Sequence, residues 1–555
     1  MSYDGVPPVS VHTSPRHTRH MSIPFPSARI VAFAIALMAC SAGTHATAAG
    51  PLHEDIDRLI EARADGPLAP LTSDAEFLRR ITLDLAGRVP TVEETRAFHA
   101  EKAADKRTRL IDRLLASPDF PRRMREWFEV MVLERRAEKS IKPSDWSVWV
   151  EKSFRENRPW NELVAKLIFV EKDDTANLPA TKFLKATGRG NNAHQITQDI
   201  ARIFLGQDIM CAQCHDHPSV EAYTQADYFG LFSYVQEQPA KATSEFESVF
   251  EPGKKTTGPR LPGGQEVEIP KFEKGQEAEA ARYRPRLLMA RDLPAATNSP
   301  FVRTSVNRLW ALVIGRGLVH PPHLDHPANP PSHPKLFDRL QQEFLSRTFD
   351  TRHLLREILL SRTYQRSSRL PAATPANAPI REDRFRVALP RPLSPEQLAW
   401  SLMVATGNHK RMLVAKAPED EPFDAYNYIN GRVERLPATI GETMELFSWM
   451  VGNPPGEDPD DFNPAMGHAL FLMNERLVLD WLKPRDNSLM GRVVAIPDDA
   501  TAVSEIYLQV LARPPTDPES ASAVGFLKKH ATARTDALAD LAWSLLASAE
   551  FRLNH

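Results

Sequence analysis

Cys211-Ala212-Gln213-Cys214-His215 gathers most of the thiol chemistry of this chain into five residues, since the only other cysteine is Cys40. The spacing Cys-x-x-Cys-His is the one by which c-type haem is attached. Two thiols three residues apart meet the two vinyl groups, and the adjacent imidazole serves as the axial iron ligand. Random placement of 3 Cys and 18 His in 555 residues would produce this pattern only about 0.0005 times. Haem c held by Cys211, Cys214 and His215 is therefore one expected cofactor. The same residues support two other chemistries. Cys211, Cys214, His215 and His217, with Asp216 beside them, form a ligand set for zinc or another divalent metal. Two thiols at this spacing in an oxidising compartment also close into a disulfide, redox-active or purely structural. Spacing alone leaves all three open.

A compact cytochrome would bring a methionine to the opposite haem face, yet no Met occurs between residues 211 and 288. His217 lies too close to His215 to serve, which leaves His194, Met289, Met466 and His468 as candidates. Other constellations are weaker. His320, His323, Asp325, His326 and His333 fall within fourteen residues and could assemble a second metal site. Their interleaved prolines favour a surface loop with solvated imidazoles. Asp458, Asp460 and Asp461 lack the spaced ligands and closing Glu of a calcium loop. There is no G-x-S-x-G, no phosphate-binding loop and no H-E-x-x-H, so no catalytic residue can be nominated.

These groups must be positioned mainly by helices. Apolar residues recur at helical spacing at Ile56, Leu59 and Ile60, at Phe77, Leu78, Ile81 and Leu85, and at Leu110, Ile111, Leu114 and Leu115. Thr91 and Glu94 make a capping box behind Pro90, and Trp146, Trp149, Val150 and Phe154 form a further stripe. Ile200 to Met210 is an apolar, helix-like run leading into the cysteines. The expected fold is mainly α, multi-helical, in two or three domains with irregular Pro-rich connections and little β. Residues 1–49 read as a leader, 50–235 as a helical domain carrying the cysteine motif, 236–285 as an irregular linker and 286–555 as a second helical domain. A Pro/Ala-rich linker lies near 370–390. Within 236–285, Val267-Glu268-Ile269 alternates like a short strand.

The leader rests on Arg29, the apolar run Ile30 to Ala39, and the small residues that follow. That run is too short for a membrane span, which needs about 20 residues. Export to the periplasm, cell surface or medium is expected, and Leu37-Met38-Ala39-Cys40 also has the form of a lipobox that would add a lipid anchor. No later run reaches membrane length, so no transmembrane span is expected in the mature chain. With 69 Lys and Arg against 71 Asp and Glu, no basic excess exists to neutralise nucleic-acid phosphates. A high proline count of 47 against 24 glycines fits helices joined by stiff connections.

Longer motifs surround these residues. They include Arg80-x-x-Leu83-Asp84-Leu85-x-Gly87-x-x-Pro90-Thr91, then Leu114-Leu115-x-Ser117-Pro118 and Phe204-Leu205-Gly206. Cys211-Ala212-Gln213-Cys214-His215-Asp216-His217-Pro218 and Asp227-Tyr228-Phe229-Gly230 complete the first half. The second half has Val306-Asn307-Arg308-x-Trp310, Gly315-Arg316-Gly317-Leu318-Val319, Asn329-Pro330-Pro331-Ser332-His333-Pro334, Ser361-Arg362-Thr363-Tyr364-Gln365 and Ser548-Ala549-Glu550-Phe551. In this order they resemble a secreted, cytochrome-like family first noticed in planctomycete bacteria, built of paired domains of unknown function. The resemblance covers nearly all of residues 54–555 and implies no established reaction. It departs after His217-Pro218, where family members carry an aromatic residue and then an acid, so Glu221 would have to supply that acid. The functions that follow are a haem redox protein with an electron-transfer partner, a metal-dependent enzyme acting on envelope polysaccharide, and a non-catalytic surface protein stapled at the motif. Arg303, Asn307, Arg308, Trp310, Arg316 and Asn329 either bind a ligand or, the favoured reading, hold helix ends together.

Overall fold

The helical stripes of the sequence become helices in the computed structural model. It describes residues 50–136, 140–188, 192–236, 243–268, 270, 283–371, 374, 380–418, 423–454, 456 and 471–555. The leader with Cys40, and Asp458, Asp460, Asp461, Met466 and His468, lie outside the described residues. The first ten helices are α1 Leu52–Glu61, α2 Asp74–Ala86, α3 Val92–Ala100, α4 Lys106–Leu115, α5 Asp119–Leu133, α6 Pro143–Arg155, α7 Trp160–Ile168, α8 Lys182–Thr187, α9 Ala193–Leu205 and α10 Gln225–Val235. Then come α11 Pro285–Asp292, α12 Ser299–Ile314, α13 Pro334–Ser346, α14 Thr351–Leu360 and α15 Pro395–Ala405. Shorter and C-terminal helices follow, among them α18 Ile440–Val451 (after Ala425–Ile429, α17, and His409–Val414, α16) and, near the end, Asp499–Leu511 and Ala549–Arg552.

Local chemistry sets the boundaries. The Thr91 hydroxyl accepts from Glu94 N at 3.2 Å while the Glu94 carboxylate accepts from Thr91 N at 2.8 Å, closing the capping box that starts α3. Gly87 ends α2 in the left-handed region at φ 66°, where a side chain would be strained. The four apolar residues of the α4 stripe are all buried.

One apolar core runs from Leu52 to Phe385, without a break at the irregular stretch after residue 235. A second gathers Leu393 to Phe551 and takes in Leu83 and Val89. Helix α2 serves both: Phe77, Leu78, Ile81 and Leu85 face the first core, and Leu83 the second. Arg79, Arg80 and Asp84 of this helix are buried with the rest and are bonded to distant chain. Arg79 donates to the carbonyls of Glu550 at 3.1 Å and Phe551 at 2.6 Å, and Arg80 to those of Tyr364 at 2.6 Å and Arg366 at 2.7 Å. Asp84 accepts from the Tyr364 hydroxyl, Arg391 and Asn554, each at 2.8 Å. Buried polar groups of this kind persist because most of their donors and acceptors find partners.

Strands are few and short. β1 Ser244–Phe246 pairs antiparallel with β2 Lys255–Thr257, and β3 Arg391–Pro392 with β4 Leu553–Asn554. The strand expected at 267–269 does not form there. Val267 and Glu268 are irregular and Ile269 is outside the described residues; β1 and β2 form instead because their buried positions, Ser244, Phe246 and Thr257, pack on α10. Among the described residues, no helix is long and apolar enough to cross a membrane.

Candidate functional site

Helix α9 delivers the cysteine motif. Its apolar face (Ile196, Ile200, Ile203, Phe204, Leu205) is buried, and its polar face is tied down by Asp199 with the guanidiniums of Arg136 and Arg202. Glu134, whose side chain is fully buried, pairs with the same two arginines. Burial pushes the Glu134 carboxyl above its ordinary range, with Arg202 and Arg136 opposing. Gly206 then turns the chain at φ 66°; a Cβ there would lie 2.6 Å from Thr304 Oγ1 and 3.0 Å from the Pro322 carbonyl. Only glycine permits that approach. It lets residues 206–208 lie against the His/Pro-rich loop: Asp325 N donates to Gly206 O at 2.8 Å, and Asp208 N to His323 O at 3.1 Å.

Met210–Gln213 forms a single 3-10 turn anchored by the fully buried Ala212. Cys214 N donates to Cys211 O at 3.2 Å. Residues i and i+3 eclipse in a 3-10 turn, so Cys211 and Cys214 come to the same side. Both are free thiols and exposed; no disulfide joins them. His215 Nδ1 lies 2.7 Å from the Asp216 carbonyl. An acceptor there fixes the proton on Nδ1 and leaves the Nε2 lone pair free for a metal. The surroundings are apolar and open to solvent. Met210 is 57 % exposed, Val249 67 % and Phe250 76 %, with Val249 N bonded to Cys214 O at 3.1 Å and the Phe250 ring 4.9 Å from that of His215.

His217 is disposed in the opposite sense. Its Nδ1 accepts from Ser219 N at 3.1 Å and Val220 N at 3.0 Å, which places the ring proton on Nε2 and removes that nitrogen as a neutral ligand. Among the described residues, no three His, Cys, Asp or Glu side chains stand together so as to hold a metal ion. Neither the set Cys211, Cys214, His215 and His217 nor the imidazoles of 320–333 is assembled as a metal cage. Asp216 instead caps α10, accepting from Gln225 N at 2.7 Å, and Glu221 is exposed.

The second-ligand candidates fare unevenly. His194 stacks on Phe232 at 4.4 Å and its Nδ1 meets the Tyr228 hydroxyl at 2.8 Å; burial lowers its pKa. Burial raises the Tyr228 hydroxyl, with Cys214 close enough to add to the effect. Met289 is fully buried in the apolar core. The expectation of solvated imidazoles fails at His333, which is 0 % exposed and begins α13 with its ring 5.5 Å from that of Phe385. Burial, with Arg63 and Arg384 nearby, pushes its pKa down to about 4. Of the polar group around 303–329, Arg308 donates to the Ile203 carbonyl at 3.1 Å at the end of α9, Asn307 to Val319 O at 2.8 Å, and Arg303 forks onto Asp325 at 2.7 and 2.8 Å. These contacts bind α12 to α9 and to its own following loop.

Sequence reasoning missed the groups that bridge these pieces. The Tyr223 hydroxyl donates to Asp325 O at 3.2 Å, and its ring lies between His217 and His326 at 5.8 Å from each. Gln198 of α9 donates to Gln213 in the turn at 3.1 Å, and Gln225 to Glu247 O at 3.1 Å. Neutral amides and tyrosines carry no spacing signal.

Residues 55–239 match the family described as PSCyt2, a protein of unknown function (DUF1549). Residues 285–446 match that described as PSD1, a protein of unknown function (DUF1553). The chain joins two domains of unknown function. No curated protein and no solved structure is significantly similar to it. Both domains of unknown function build the site: the DUF1549 segment carries the cysteine turn, and the DUF1553 segment supplies α12 and the 320–326 loop against which it is seated.

Proposed function

We propose that this chain is an exported, cytochrome-like cell-envelope protein that carries haem c on Cys211 and Cys214, with His215 as axial ligand. The observation that supports this reading most is the bond from His215 Nδ1 to the Asp216 carbonyl at 2.7 Å. It orients the ring and leaves Nε2 free, in a turn that sets two free thiols on one side. The exposed Met210, Val249 and Phe250 are apolar surface that a porphyrin would cover. Bound there, haem would supply one-electron redox chemistry. The residues of this chain would hold it covalently, fix the imidazole and shield one edge, and the partner would be an electron donor or acceptor of the envelope. His217 has a positioning role in this reading, accepting the two amides that shape the turn after the motif.

The test is a visible spectrum and a haem-stained denaturing gel of the full chain exported from a host with haem-attachment machinery. A reduced c-type spectrum and a stained band are expected, both lost in Cys211→Ser and both kept in His217→Gln. Colourless, unstained protein from that host would overturn the proposal.

A further inference from the structure

Between α5, α12 and α15 lies a cavity of about 220 Å³, lined among others by Arg123, Glu126, Trp127, Arg135, Arg308 and Glu396. Most of the charges on and around its wall already have partners. Arg122 pairs with Glu126 Oε1 at 3.0 Å, Arg135 with Glu396 at 2.7 Å, and Arg391 with Asp84 at 2.8 Å. Arg308 is turned to the carbonyl of Ile203.

Arg123 is the exception. It is only 7 % exposed, yet among the described residues it makes no hydrogen bond and no ion pair. Its Nε is buried without a partner, and so is the second carboxylate oxygen, Oε2, of Glu126. The charges facing Arg123 are Glu126, Asp84 and Glu396, with Arg391 opposed; each of those carboxylates is held by a different arginine. The stem of Arg123 is fixed by the α2 turn, where a Cβ on Gly87 would come within 2.9 Å of Arg123 Cδ. A buried cation without a partner is costly to the fold, so its presence on a cavity wall calls for an anion that is not part of the chain.

We propose that this cavity binds a small hydroxylated carboxylate, with its carboxylate on Arg123 and a hydroxyl donating to Glu126 Oε2. A guanidinium grips a carboxylate through two parallel bonds, whereas the free oxygen of Glu126 can only accept. One spare cation beside the carboxylate that Arg122 already pairs with suits a monoanion better than a dianion such as phosphate. Trp127, Val130 and Met131 on the wall give the carbon skeleton an apolar face, the arrangement expected of a small-molecule site. The assignment is independent of the haem reading, since none of these residues belongs to the cysteine turn.

The experiment is thermal unfolding and tryptophan fluorescence of the full chain, titrated at constant ionic strength with glucuronate, glucose, cyclohexanecarboxylate and sulfate. Glucuronate should raise Tm saturably, by about 2–3 °C at a hundredfold excess over Kd. Glucose should give no shift, and cyclohexanecarboxylate and sulfate weaker ones. Arg123→Gln should abolish the glucuronate shift while its unliganded Tm equals or exceeds that of the parent, because an unpaired buried charge has been removed. Val130→Phe, which fills the cavity without touching a charge, should also abolish the shift. Equal responses to glucose and glucuronate, no response to any probe, or a shift retained in both variants would overturn the proposal, as would an Arg123→Gln chain less stable than the parent with the Val130→Phe shift intact.

Discussion

His333→Gln offers the sharpest test of the packing between α13 and the chain around Phe385. The imidazole is completely buried, its Nδ1 lies 3.1 Å from Ser332 Oγ, and its Nε2 has no hydrogen-bond partner. Burial first, and then Arg63 and Arg384, lower its pKa from 6.5 to about 4, with Asp383 opposing. The folded chain therefore keeps His333 neutral over a range where the unfolded chain protonates it. Because the unfolded state binds the extra proton, stability is greatest above pH 6.5 and falls as pH drops toward about 4, below which this residue causes no further loss. At 1.36 kcal/mol per pH unit the decline amounts to about 3 kcal/mol. The parent and His333→Gln share every other titrating group, so their difference isolates the imidazole. Denaturant unfolding at pH 7, 5.5 and 4 should show the variant gaining on the parent by about 3 kcal/mol across that span. Parallel pH profiles would refute the reasoning, since they would mean that His333 titrates alike in the folded and unfolded chains.

Two further perturbations address the mounting of the cysteine turn. Glu134→Gln replaces a carboxyl that burial holds above its ordinary range by a neutral isostere while Asp199 still pairs with Arg136 and Arg202, and should cost less than about 1 kcal/mol in denaturant unfolding at pH 7; a loss of about 3–5 kcal/mol, the cost of leaving a buried charge unpaired, would contradict it. Gly206→Ala forces a side chain into a left-handed position against Thr304 and Pro322 and should lower stability by about 2–4 kcal/mol, with incorporation of the proposed haem falling alongside; an unchanged Tm would show that the turn tolerates a side chain.

Much of the helical framework was legible because apolar spacing and capping are local. Thr91 and Glu94 close their capping box, and the stripes at 77–85, 110–115 and 146–154 are the buried faces of α2, α4 and α6. The cysteine motif, too, was visible as spacing; the structure winds Met210–Gln213 into a 3-10 turn that Cys214 caps. What could not be read was convergence. Arg79, Arg80, Asp84 and Arg123 sit at helical positions, and Glu134 just past the end of α5, where a charge ordinarily marks a wetted face, and the partners of the first three lie hundreds of residues away. His333 was misread for a similar reason: prolines around a histidine announce a loop but not that its ring is roofed by Phe385. The two cores likewise ignore the punctuation of the chain, since the irregular stretch after 235 interrupts helices without interrupting apolar contact.

The bonds of α2 have a consequence for the order of assembly. Asp84 is satisfied only when Tyr364, Arg391 and Asn554 have all arrived, the last of them 470 positions further along the chain. A growing polypeptide can wind α2 early, but some 470 further residues must follow before that buried carboxylate has all its partners. Closure over such distances is entropically costly and slow. The nascent chain thus keeps an unfinished seam open until residue 554 has emerged, and the native packing around α2 is completed only when that distant segment docks.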